Sequence, residues 1–244
     1  MNLLPINPKP VLLLTALFLL LISGCDKDNP EPDPAEETNE LFDIDGNRYT
    51  MVTIGEQVWM IENLRTTRYN DEEPIALIED NEHWSNLQEG AYCWYDNEKE
   101  SYMESYGALY SRDAAKSGKL CPTGWQVPGK EDWEELVDFL GGDYLSPTYD
   151  HPGYVLKDTT DIYWKEENMI FATNETGWTG RGGGMRSANG NFIELRETGN
   201  WWSSEDHWKY DTWGRRLGYN HGHLLNIGDE NDLGFSVRCI QSGN

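Results

Sequence analysis

Cysteine, histidine, clustered acids and exposed tryptophan are the residue types here whose spacing could support chemistry or binding. Cysteines stand at 25, 93, 121 and 239. Outside the cell, Cys93, Cys121 and Cys239 would supply one disulfide and leave one thiol over. His221-Gly222-His223 is the only close His pair, and His-x-His on a strand can present two rings to zinc. No third ligand follows at a recognisable spacing, so an ordinary polar strand end is the simpler reading. Asp229-Glu230-Asn231-Asp232 sets four oxygen-bearing side chains in a row, the ligand type that Ca²⁺ takes. That run is a candidate structural calcium turn, with a solvated acidic turn as the alternative. Asp43, Asp45 and Asn47 also alternate, but the later ligands of a calcium loop are missing and Asp45-Gly46 reads as a turn.

Other signatures are absent. No Gly-x-Ser-x-Gly occurs, and Gly182-Gly183-Gly184 lacks the Gly-Lys-Ser/Thr ending of a phosphate loop. Paired carboxylates would suit glycoside hydrolysis, but among 43 acidic residues any pair can be found. The expectation is therefore a protein that is not an enzyme and holds no cofactor beyond the candidate calcium. Eleven tryptophans are the unusual feature. Trp59, Trp125, Trp133 and Trp202 sit in patterned stretches and read as core. Trp164, Trp178, Trp208 and Trp213 fall in a glycine-dense second half. They are the candidate ligand-binding residues, because indole faces stack on sugar rings and surface aromatics mark binding sites.

Nineteen basic residues oppose the 43 acidic ones, for a formal charge of −24. No basic face is available for nucleic acid, and adsorption to anionic lipid is disfavoured.

The elements that would hold these residues follow in order. Val11 to Ile22 is an apolar run of signal-peptide length. Ile22-Ser23-Gly24-Cys25 resembles the lipobox of bacterial lipoproteins. The resemblance implies cleavage after residue 24, acylation of Cys25 and attachment to a membrane through it. Residues 25–40, rich in acid and proline, cannot bury enough surface to fold and read as a tether. The acidic stretch after Cys25 resembles the export signal of surface lipoproteins, which implies the outer membrane and its outer face.

Residues 41–244 read as one domain of class α+β with short antiparallel strands and long structured loops. Phe42 to Met60 reads as strands joined by Asp45-Gly46 and Gly55-Glu56 turns. Ala91 to Tyr95 is a short aromatic strand, and Tyr106 to Lys116 reads as a helix ending at Gly118. Trp133, Leu136, Val137 and Leu140 recur at helical spacing after Pro128, behind Glu131 and Asp132, with Gly141-Gly142 as the stop. Trp201 to Ser204 and Gly234 to Cys239 read as late buried strands.

Blocks at 42–64, 90–97, 106–110, 120–136, 140–142, 172–178, 201–204 and 234–239 together resemble the Fibrobacter succinogenes major paralogous domain, common in surface lipoproteins. Val127-Pro128 before Glu131-Asp132-Trp133-Glu134, and the closing Gly234-Phe235-Ser236-Val237-Arg238, resemble the formylglycine-generating branch of the C-type-lectin-like fold. The resemblance implies a C-type-lectin-like domain whose first and last strands close a loop, with Cys121 joined to Cys239. Cys93 is then the spare thiol, read as buried and inert. The oxygenase chemistry of that branch needs a pair of close reactive thiols, which this chain lacks near its C-terminus. The sugar-binding Glu-Pro-Asn motif of true lectins is also missing from the domain. The expected function is a surface-tethered binding or adhesion module for a polysaccharide or a surface protein. An enzyme on the same scaffold and a structural envelope protein are the rivals.

Overall fold

The computed structural model describes residues 40–142, 152–165, 172–207, 212–227 and 232–243. Residues 39–244 form one compact unit. Its first strand, β1 (Glu40–Phe42), begins one residue inside the span read as tether, and Glu40 there forms an ion pair with Arg48. Strands β2 (Arg48–Ile54) and β3 (Gln57–Met60) form the expected hairpin, with Val52 opposite Trp59 and Ile54 opposite Gln57. The Asp43 to Asn47 turn is held by its own carboxylates. Asp43 Oδ1 accepts from the amides of Asp45 and Asn47, and Asp43 Oδ2 from Tyr49 Oη at 2.7 Å. Asp45 is engaged by Thr66, Thr67 and Arg68, so both carboxylates are occupied by protein donors.

Strand β4 (Ala76–Leu77), helix α1 (Asn81–Trp84) and strand β5 (Ala91–Cys93) follow. The helix expected over Tyr106 to Lys116 is corrected: three elements share this stretch. Helix α2 (Lys99–Tyr106) ends there, strand β6 (Leu109–Ser111) follows, and α3 (Arg112–Lys116) begins anew. Gly107 makes the break. It has φ +72°, and a Cβ would sit 2.7 Å from the Leu64 carbonyl oxygen. Ser111 then starts α3 by accepting from the Ala114 amide, and its hydroxyl also takes the Ala91 amide at 2.9 Å.

Strand β7 (Trp125–Gln126) leads into α4 (Lys130–Phe139), whose Trp133, Leu136 and Val137 face inward as the periodicity predicts. After α5 (Pro152–Leu156), the half read as loop-rich is strand-rich instead. It holds β8 (Gly183–Arg186), β9 (Phe192–Leu195), β10 (Thr198–His207), β11 (Thr212–Gly218) and β12 (Leu224–Ile227). The glycines there mark close backbone packing: at Gly184, φ is +64° and a Cβ would lie 2.5 Å from the Ile193 carbonyl oxygen. Strands β13 (Gly234–Phe235) and β14 (Ile240–Gln241) end the fold.

Among the described residues the strands form two sheets, mostly antiparallel, in the orders β1-β2-β3-β14-β7 and β12-β11-β10-β8-β13-β6-β5-β4, with β9 on β8. The α+β class holds, weighted toward strand. A disulfide joins Cys121 to Cys239 across 118 residues of chain. Both half-cystines are buried in one core cluster with Tyr110, Trp202 and Phe235. A second cluster gathers Trp59, Trp133, Trp164, Trp178 and Trp201 under α4 and α5.

Candidate functional site

Two of the four tryptophans expected at the surface are core residues, which corrects the sequence reading. Trp164 and Trp178 are both 0% exposed. Trp178 lies between Trp133 and Trp201, with ring centroids 6.1 and 4.9 Å away. The guanidinium of Arg238 stacks 3.9 Å from its ring centroid. Arg238 also donates to the carbonyls of Trp178 and Thr179, and to Asn63 Oδ1 at 2.9 Å. Asn63 in turn accepts from Trp201 Nε1 at 2.9 Å and donates to the Tyr106 carbonyl at 2.8 Å. Burial depresses the Arg238 pKa to about 9, with the Arg181 charge acting the same way. This network is a buried structural knot, not a binding surface, although Nε1 of Trp178 finds no hydrogen-bond partner among the described residues. Trp208 lies outside the described residues, and of Trp213 only the backbone of β11 is described.

The acidic run falls mostly beyond description too: Asp229, Glu230 and Asn231 lie outside the described residues. Asp232 is described, and its carbonyl accepts from Trp84 Nε1 at 2.8 Å. It borders a polar hollow shared with Ser111, Asp113 and Glu89. Among the described residues no three His, Cys, Asp or Glu side chains converge as a metal site. His221 and His223 stand with ring centroids 5.1 Å apart, and His221 Nδ1 accepts from the His223 amide. Burial first, then the charges of His223, Lys157 and Arg216, lower the His221 pKa. Beside them Lys157 is buried, and among the described residues no carboxylate forms an ion pair with it. Its ammonium donates to the carbonyls of Gly218 and His221 at 2.9 and 2.7 Å and lies near the rings of Tyr154 and Trp164. Burial pulls its pKa down to about 8. Cys93 is fully buried, and burial pushes its thiol up to about 12, so it is inert at neutral pH.

A cleft opens elsewhere, where β7, the disulfide, the start of α4 and the middle of β10 meet. It has a volume of about 480 Å³. The chain builds it from short local rules. Gln241 of β14 pairs with Trp125, and Ile240 with Gln126, which seats β7 against the last strand. Gly129 precedes α4, and the Asp132 carboxylate reaches back to its amide at 2.7 Å and takes Gln126 Nε2 at 3.2 Å. The Ser204 amide donates to the Pro128 carbonyl at 2.9 Å, drawing β10 to the rim. Gly129 leaves the floor open. A Cβ there would meet Glu205 Oε2 and Ser204 Oγ at 3.6 Å and Asp132 Oδ2 at 3.7 Å. The half-buried ring of Trp125 lies along the same cleft with Glu131, and Cys121 lies in its wall. Carboxylates, an amide and a hydroxyl thus line one cleft with an indole.

A family model for the Fibrobacter succinogenes major domain matches residues 52–241, which runs from β2 to β14. The chain belongs to this family. Neither a curated protein nor a solved structure matches it. The family domain therefore contains every residue lining the cleft except Ser242. Sequence reasoning missed this cleft because it counted Trp125 as core and gave Glu205 no role. One signal was available: Trp125 lies outside any apolar periodicity, next to the polar Gln126.

Proposed function

We propose that this protein is a lipoprotein held in the outer membrane by acylated Cys25, with its domain on the cell surface binding a carbohydrate without catalysing a reaction. One observation carries the ligand class. The Trp125 ring shares an open cleft with Glu131, Ser204, Glu205 and Gln126. An aromatic face beside fixed hydrogen-bonding groups suits a sugar ring, which is apolar on its face and hydroxylated at its edge. The fold reading is C-type-lectin-like. It is supported by β14 lying between β3 and β7, which brings both ends of the family domain into one sheet, and by the Cys121–Cys239 bridge. Thiol-based catalysis is disfavoured because the one free thiol among the described residues is the buried, inert Cys93. Anchoring rests on the lipobox resemblance; among the described residues no helix is long and apolar enough to cross a membrane.

The test is a glycan array probed with detergent-solubilised full-length protein, with and without Ca²⁺. A retained glycan should be lost on Trp125→Ala, with an affinity drop of about tenfold or more, in a protein that still melts cooperatively. An array with no retained glycan, or a Trp125→Ala protein that binds as tightly, overturns the reading.

A further inference from the structure

Helix α4 carries a large apolar side chain on its outer side. Phe139 is 61% exposed, although it lies off the inward stripe of Trp133, Leu136 and Val137. The ring is held in place: it lies against the β2–β3 turn, where a Cβ on Gly55 would be 2.9 Å from Phe139 Cδ2. It stands as a ridge between two grooves. The larger, about 730 Å³, is lined by Ile54, Gln57 and the carboxylates of Glu56, Glu131, Glu134, Glu135 and Asp138. The smaller, about 440 Å³, adds Leu140, Val155 and Glu175.

Charge decides what fits there. Five carboxylates line the larger groove with no Lys or Arg among them. The adjacent cation, Lys130, is paired to Glu134 at 3.2 Å. A second copy of this chain would set two such rims face to face in a molecule of charge −24, and an anionic lipid surface would be repelled in the same way. A partner that gains from both the ridge and the rim carries an apolar side chain flanked by cations.

We propose that the outer face of α4 around Phe139 docks a basic segment of another protein, with an apolar side chain in the groove beside Phe139 and flanking Lys or Arg side chains on Glu56, Glu135 and Asp138. This surface is separate from the Trp125 cleft, with which it shares only Glu131.

The probe is a fluorescein-labelled peptide of sequence Lys-Lys-Leu-Lys-Lys-Leu-Lys-Lys, titrated with full-length protein in neutral detergent and read by anisotropy, with empty micelles as blank. Binding should weaken as salt rises. Phe139→Ser, and separately the double change Glu135→Lys and Asp138→Lys, should each lower affinity by about tenfold or more. The same double reversal at Glu89 and Asp113, exposed in the polar hollow far along the chain, should leave it unchanged, as should Trp125→Ala. If Phe139→Ser lowers the melting temperature, the double reversal on α4 alone decides. The proposal is overturned if the peptide does not bind, if the Glu89 and Asp113 reversal weakens binding as much as the α4 reversal, or if replacing the leucines by glycine changes nothing.

Discussion

Removing the disulfide tests the link between the last strand and the rest of the domain. The perturbation is the double change Cys121→Ala and Cys239→Ala. The bridge closes 118 residues, so in the chain-entropy account its loss frees the unfolded chain by about 4–5 kcal/mol. Both sulfurs are also buried, 3% and 0% exposed, in the cluster around Trp202 and Phe235. Deleting them adds a packing loss of about 1 kcal/mol. Together this is comparable to the whole stability of a typical domain. Urea unfolding should show the midpoint falling steeply and the slope m rising as the unfolded state expands. Melting should drop by roughly 10–20 °C. Cys93→Ala is the control, since it removes a buried sulfur but no cross-link. The reasoning fails if the double variant loses less than about 1 kcal/mol, or if Cys93→Ala costs as much.

Further outcomes follow from the same geometry. Lys157 keeps its proton up to pH 10.5 when unfolded but releases it near pH 8 when folded, so the unfolded state binds more protons between these values and stability rises with pH there. Wild type should gain about 2 kcal/mol relative to Lys157→Met between pH 8 and 10, and parallel pH profiles of the two proteins in urea unfolding would refute this. Above pH 10 the sign reverses. Burial and the Asp43 charge raise the Tyr49 pKa, so unfolding then releases protons. Trp178→Ala should cost about 3–5 kcal/mol by removing the stacking partner of Arg238, whereas Trp125→Ala, which removes a half-buried ring, should cost clearly less; equal losses in calorimetry would undo the division between core and cleft. Cys25→Ser should abolish incorporation of an alkyne fatty acid in metabolic labelling, and unchanged labelling would end the anchoring proposal.

Local rules wrote much of this fold into the sequence. The Asp45-Gly46 and Gly55-Glu56 turns, the alternation through β2, and the Trp133, Leu136, Val137 stripe of α4 depend on neighbours within a few positions, so they can be read directly. The stretch from Tyr106 to Lys116 could not. Its helix-like composition is overruled at Gly107 by the Leu64 carbonyl, which comes from far along the chain. Tertiary structure likewise decided the fate of the tryptophans. Trp178 follows a glycine in a segment that reads as surface loop, yet Trp201 of β10 and Arg238, between β13 and β14, enclose it from later in the chain. Trp125 sits in a patterned block, yet it is only half-buried, packing on the core on one side and lining the open cleft on the other. Burial depends on which distant residues fold against a side chain, and composition and spacing do not encode that neighbour.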